Sequence, residues 1–137
     1  MRVYVDSSVI LRLVLGEPDP LPGLDQMEGV TSALSEVECL RVLDRLRLRG
    51  ALPESELLTR RAAVFDLLDR LETVELTRSV LSRAAQPLPA PLRTLDALHL
   101  STALLIAELD EGPVRFATHD AALARTATAC GLEATGV

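Results

Sequence analysis

The sequence has no Lys and no Trp, and only one Tyr, two Phe and two Cys among its 137 residues. Its 14 cationic side chains, the two His apart, are therefore all Arg. Without Lys there can be no nucleotide-gripping phosphate loop, no Schiff-base chemistry and no Ser/Lys nucleophile pair. A receiver-like domain with a Lys beside its phosphoacceptor Asp is excluded for the same reason. So few aromatic rings argue against base-stacking platforms for single-stranded RNA. Cys39 and Cys130 stand far apart with no partner at metal-ligand spacing, so both read as buried core thiols of a reducing cytosol. The opening residues read as a strand from Arg2 onward rather than as a secretory segment. No uncharged stretch, the one that includes His99 to Ala107 among them, is long enough to span a bilayer of about 30 Å, so no membrane association is expected.

Acids outnumber bases: the net charge is −6 and the isoelectric point about 4.9. That balance excludes a protein that grips nucleic acid by bulk positive charge, but not one that handles it locally through metal ions. The length suits one domain spanning residues 1–137, large enough to bury a core unaided.

Short β-like runs alternate with longer helical patterns. Strands are expected at Val3–Val5, Gly29–Ser32, Thr73–Leu76, Val114–Ala117 and, weakly, Leu132–Ala134. Ser7 and Ser8 are expected to cap a helix reaching Val14. Further helices are expected from Ser35 to about Arg49, closed by Gly50, from Pro53 to about Leu71, and from Arg78 to Ala85. Two more follow, one capped by Thr94 and ending near Leu109, the other from His119 to Ala129. Pro87, Pro89 and Pro91 make a stiff loop, and Asp110–Pro113 a turn. This alternation predicts a single three-layer α/β/α domain with a parallel sheet, and a 3-2-1-4-5 strand order would bring strands one and four together.

Four acids stand out. Asp6 directly follows the first strand and Asp120 closely follows the fourth. In open α/β sheets the functional crevice lies at the carboxyl ends of the strands, where strand order reverses, so the two would converge there. Each could equally be a helix N-cap. Asp96 lies in a helix with apolar residues on nearly every face, where a carboxylate must be neutralised, paired or bound to metal. Arg93 and His99, three residues to either side, offer it a local ion pair. Glu38 shares a helical stripe with Arg41, Arg45 and Arg49, which can also be read as a solvated face with a Glu38–Arg41 pair. Glu36 is an equally acidic rival about 200° away on the wheel. His99 reads as a core residue or a support for the site, and His119 as a helix-start residue beside it. Ser7 and Ser8 form no nucleophile elbow.

Val3-Tyr4-Val5-Asp6-Ser7-Ser8-Val9-Ile10 resembles the opening strand and turn of a PIN domain. Thr31 to Glu38 resembles that family's second acidic motif, Thr94 to Ala103 its third, and Ala117 to Ala124 its fourth. Together the motifs span Val3 to Leu132, and the chain's size is similar to that of the VapC-type toxins of toxin–antitoxin pairs. The resemblance implies a Mg²⁺- or Mn²⁺-dependent endoribonuclease, with one or two ions, acting on tRNA, rRNA or mRNA. It implies a homodimer and a small antitoxin whose C-terminal segment occupies the groove. It assigns Asp6, Glu38, Asp96 and Asp120 to the catalytic and metal-binding set, and favours Glu38 over Glu36. It also places Ser8 and Thr118 near the metal, with Asp120 at the family's most variable acidic position.

The chemistry agrees with the residues. Oxygen-only ligands suit Mg²⁺ or Mn²⁺, and metal-activated water removes the need for a protein nucleophile. Arg41, Arg45 and Arg49 are candidates to contact RNA phosphate or the antitoxin. Two alternatives remain. A Mg²⁺-dependent phosphatase usually wants a second Asp two residues after the nucleophilic one, and Ser8 stands there. A non-catalytic metal- or RNA-binding scaffold would normally have lost an acid, and none of the four is missing.

Overall fold

Side chains alternate across a strand, so in the first strand, β1 (Arg2–Val5), Val3 and Val5 face one layer while Tyr4 faces the other. All three are buried, which fixes β1 as an inner strand. The computed structural model describes residues 1–110 and 112–137, so Glu111, part of the expected Asp110–Pro113 turn, lies outside the described residues. The order is β1, α1 (Ser7–Val14), β2 (Glu28–Ser32), α2 (Leu34–Leu48), α3 (Glu54–Asp69), β3 (Glu72–Val74), α4 (Arg78–Ala84), α5 (Thr94–Leu109), β4 (Val114–Ala117), α6 (Ala121–Ala129) and β5 (Glu133–Thr135). A short 3-10 turn at Leu24–Gln26 precedes β2 and was not expected.

The five strands lie in the order β3-β2-β1-β4-β5, and every pairing is parallel. The 3-2-1-4-5 expectation is met, and Val5 pairs with Ala117, so β1 and β4 end side by side. On one face Val3 and Val5 pack with Val9 and Ile10 of α1, Cys39 and Leu43 of α2, and Val64 and Leu68 of α3. On the other, Tyr4, Val30 and Phe116 pack with Leu100, Ala103 and Leu104 of α5 and Leu123 and Ala127 of α6. Helix α5 is buried over most of its circumference, from Ala97 to Leu104, which explains its lack of a polar face.

The differences from expectation concern element ends. Ser7 and Ser8 do not cap α1; Asp6 does, accepting from the Ser8 and Val9 amides. Thr94 is the first residue of α5 rather than its cap, and Arg93 holds the cap position without a side-chain bond. Helix α6 starts at Ala121, behind an Asp120 cap. Strand β3 sits one or two residues earlier than predicted. Short polar residues near a helix start compete for the same orphan amides, so sequence leaves the winner open by a residue or two. Cys39 is fully buried as expected, whereas Cys130 is only partly so.

Candidate active site

Asp6 is set by the chain leaving β1. Its amide donates to the Ala117 carbonyl (3.1 Å), which ties the carboxyl end of β1 to that of β4. Its side chain is buried, with 4% exposure. Both carboxylate oxygens are engaged. Oδ1 accepts from the Ser8 hydroxyl (2.5 Å) and the Ser8 and Val9 amides (3.1 and 3.3 Å), and Oδ2 accepts from the Thr118 hydroxyl (2.6 Å). Ser8 and Thr118 therefore orient Asp6, from α1 and from the end of β4. Burial raises the Asp6 pKa above the ordinary carboxylate value, while these hydrogen bonds and the nearby His99 work in the opposite direction.

Glu38 and its neighbours begin with hydroxyls. The Thr31 hydroxyl donates to the Val5 carbonyl (2.6 Å) and lies 2.7 Å from the Ser35 hydroxyl, pinning the start of α2 against the end of β1. The Ser32 hydroxyl accepts from the Leu34 amide (3.1 Å). One turn further on, Glu38 is half-buried while Glu36 is exposed, so α2 turns Glu38 and not Glu36 inward. Its Oε1 lies 2.5 Å from Nε2 of His99 on α5. The Glu38–Arg41 pair does not form. Arg41 binds Asp44 instead (3.0 Å), as does Arg47 (2.8 Å), and Arg41, Arg45 and Arg49 all lie on the exposed side of α2.

Asp96 sits in the first turn of α5, half-buried. The expected pairing with Arg93 or His99 is absent among the described residues, because His99 turns to Glu38. Partial burial raises the Asp96 pKa, and the negative charges of Asp120, Asp6 and Glu38 raise it further against the opposing pull of His99. Asp120 is exposed and caps α6 through the Leu123 amide (3.0 Å). Both readings of Asp6 and Asp120 thus hold at once: each caps a helix, and each adds its charge to the field that Asp96 experiences. Beneath them, burial and then the charges of Glu38 and Asp6 push the Cys39 thiol up to about 12, which makes it inert.

The geometry brings Asp6, Glu38, Asp96 and Asp120 into one electrostatic neighbourhood at the carboxyl ends of β1 and β4. Among the described residues, no three His, Cys, Asp or Glu side chains stand close enough together to enclose an ion by themselves. The donor set still fits a hard divalent cation. It consists of oxygens only, its carboxylates repel one another in the cation's absence, and Mg²⁺ keeps several waters and needs few direct ligands.

Two members of the site were not singled out for the roles they hold. His119 reaches Gly136, its Nδ1–H donating to that carbonyl (2.7 Å), while its amide donates to the Ser8 hydroxyl (3.0 Å). Tyr4 was legible only as a strand residue; its hydroxyl lies 2.7 Å from Nδ1 of His99. Burial and the charge of Asp6 raise its pKa well above the usual phenol value, so it keeps its proton. The sequence signal was faint: His99 follows Asp96 by three residues and so shares its helical face, but no spacing links it to Tyr4.

The parallel 3-2-1-4-5 sheet makes this an α/β domain with its switch point beside β1 and β4, and the chain belongs to the PIN domain family, whose model matches residues 3–129. Within the family it is similar to Ribonuclease VapC47 of Mycobacterium tuberculosis, 33% identical over 126 residues that cover 86% of this chain and 84% of the relative. It is also 36% identical over 107 residues to Ribonuclease VapC35 of the same organism, covering 74% of this chain and 72% of the relative. Two solved structures share the fold. VapBC2 from Rickettsia felis, bound to a promoter DNA fragment, superposes with a TM-score of 0.69 at 15% identity, over 98% of each chain. VapBC-1 from nontypeable Haemophilus influenzae gives 0.62 at 14% identity, over 98% of this chain and 97% of that one.

Proposed function

We propose that this chain is a divalent-metal-dependent endoribonuclease and the toxin of a toxin–antitoxin pair. The observation that carries the reading is the gathering of acids around Asp96: the charges of Asp120, Asp6 and Glu38 reach it from separate elements, and Asp6 is itself a buried carboxylate with both oxygens held by hydroxyls and amides. A folding requirement alone does not assemble such a group, because each acid makes its neighbours costlier to ionise. The names of the VapC relatives support ribonuclease activity, and the VapBC likenesses support a partner antitoxin.

Bound Mg²⁺ or Mn²⁺, as one or two ions, supplies Lewis acidity and an activated water for displacement at phosphorus. Asp6, Glu38, Asp96 and Asp120 are the residues that would hold it. Ser8 and Thr118 keep Asp6 oriented as an acceptor. Arg41, Arg45 and Arg49 form an exposed cationic row along α2 that suits a polyanion or an acidic antitoxin segment. The RNA could be tRNA, rRNA or mRNA, met in the cytoplasm. No helix among the described residues is long and apolar enough to cross a membrane.

A homodimer is part of the proposal. Leu58, Phe65, Leu81 and Leu95 remain 40–74% exposed, apolar side chains that a second copy would cover. Sedimentation at micromolar concentration should give about twice the 14.8 kDa chain mass, and a monomer there would remove the dimer.

The reading is tested by incubating antitoxin-free protein with total cellular RNA in Mg²⁺ or Mn²⁺, with EDTA and an Asp6→Asn variant as controls. Discrete fragments absent from both controls are expected. Metal binding without cleavage would turn the reading toward a scaffold, and a trapped aspartyl-phosphate toward a phosphatase.

A further inference from the structure

Three side chains form an unbroken line from the core to the acidic site. Tyr4 is fully buried on β1, stacked on Phe116 with centroids 5.4 Å apart and planes at 9°, so its hydroxyl has one position. That hydroxyl lies 2.7 Å from Nδ1 of His99, whose ring stands edge-on to Tyr4 at 67°. The other ring nitrogen, Nε2, lies 2.5 Å from Glu38 Oε1. His99 is 1% exposed and belongs to the α5 layer, while Glu38 belongs to α2 on the opposite face of the sheet. The Glu38–His99 bond therefore crosses the carboxyl edge of the sheet and joins the two helical layers at the site.

The donors and acceptors can be assigned. An ionised carboxylate only accepts, so Nε2 carries a proton. In the neutral ring Nδ1 is then a lone pair, which needs a donor, and the Tyr4 hydroxyl supplies it. The neighbouring Thr102 hydroxyl is already committed as donor to the Leu98 carbonyl (2.7 Å). A neutral ring placed between these two partners takes one tautomer, set by what each nitrogen meets.

We propose that Tyr4 and His99 are positioning residues for Glu38: Tyr4 selects the Nε2–H tautomer of His99, and His99 holds Oε1 so that Oε2 is presented to the metal ion. This deepens the metal-nuclease reading and rests on it. Neither residue touches substrate. Partners that orient metal-ligating side chains in this way are worth about 10- to 100-fold in metal affinity.

The test has two readouts besides activity. Imidazole ¹⁵N NMR of the metal-free protein should show the Nε2–H tautomer for His99; the Nδ1–H tautomer would overturn the proposal. Calorimetry should then show Mn²⁺ binding about 10-fold weaker in Tyr4→Phe, and about 10- to 100-fold weaker in Tyr4→Phe/His99→Leu, where Tyr4 and His99 become apolar together and only the half-buried Glu38 loses a partner. His99→Gln keeps a donor for Glu38 and an acceptor for Tyr4, and should recover most of the affinity. Thermal melts check that each variant is folded, and Tyr4→Phe alone decides if the double variant is not. Wild-type Mn²⁺ affinity in a folded Tyr4→Phe and double variant would confine the chain of bonds to a core staple and overturn the proposal alone. No Mn²⁺ binding by the wild-type protein would instead overturn the metal-nuclease reading, and this proposal with it.

Discussion

At the scale of single residues, the site is a set of carboxylates held at a cost. Burial raises the pKa of both Asp6 and Asp96 above the ordinary carboxylate value of 3.8, and the charges of the neighbouring acids raise that of Asp96 further. A carboxyl whose folded pKa lies above its unfolded one binds its proton more tightly in the fold. Its ionisation therefore takes away stability as pH climbs from the ordinary carboxylate range through the raised value. Asp96→Asn removes that loss. The metal-free variant should melt a few degrees above wild type at pH 7, corresponding to at most about 1 kcal/mol given how exposed the group is. The difference should shrink as pH falls toward 4, and thermal melts across that range check the sign. The same variant should cleave no RNA. The choice between the two glutamates of α2 is made by burial: Glu38→Gln should be inactive, while Glu36→Gln, altered on the exposed side, should cleave at close to the wild-type rate in the same assay. Asp6, Asp96 and Asp120 drew notice by their positions in the sequence, whereas Glu38 was favoured over Glu36 only by the family resemblance. The local pairs that spacing offered Asp96 and Glu38 do not form. Arg93, His99 and Arg41 satisfy the spacing, but His99 and Arg41 find partners the spacing does not rank, at Glu38 and Asp44.

At the scale of elements, strands and helices followed from periodicity, and their ends did not. Val114–Ala117 and the body of α5 carry runs that admit one reading, whereas the entries to α1, α5 and α6 each lie a residue or two from where the sequence placed them. Those same entries build the site, because a carboxylate that caps a helix at a strand's carboxyl end already sits beside the switch point. The strand β5 was expected only weakly, and its last residues not at all. Segment 135–137 continues β5 alongside the end of β4: the Thr135 carbonyl accepts from the Thr118 amide (3.1 Å), and the Gly136 carbonyl accepts from His119. Gly136 has φ +98°, and a Cβ there would stand 2.5 Å from the Thr118 carbonyl oxygen. Gly136→Ala must therefore displace backbone beside the very residue whose hydroxyl holds Asp6 Oδ2. We expect a loss of about 1–2 kcal/mol together with reduced cleavage. Gly16→Ala is the control. It carries comparable strain at φ +67° but has nothing within 4 Å, so a chemical denaturation series should show lost stability with cleavage retained.

At the scale of the whole molecule, the acidic balance, the absence of Lys and the anionic site agree with the proposed function, in which the protein would meet a polyanion through a cation it must first acquire. The four acids come from α1's entry, α2, α5 and α6's entry, and so from both layers packed on the sheet. The Glu38–His99 bond is the side-chain link between those layers at the site edge. A cation held by these groups relieves repulsion in the folded state and has no equivalent site in the unfolded chain, so it must stabilise the fold by mass action. At a free Mn²⁺ concentration about 100 times its Kd, the gain is about 2.7 kcal/mol, which is several degrees of melting temperature for a domain of this size. Asp6→Asn and Glu38→Gln should each lose most of that shift. Glu36→Gln should keep it. Differential scanning calorimetry with and without Mn²⁺ separates the cases without reference to any RNA. A Mn²⁺ shift that survives in both Asp6→Asn and Glu38→Gln would place the ion elsewhere on the molecule and break the link between its charge and its chemistry.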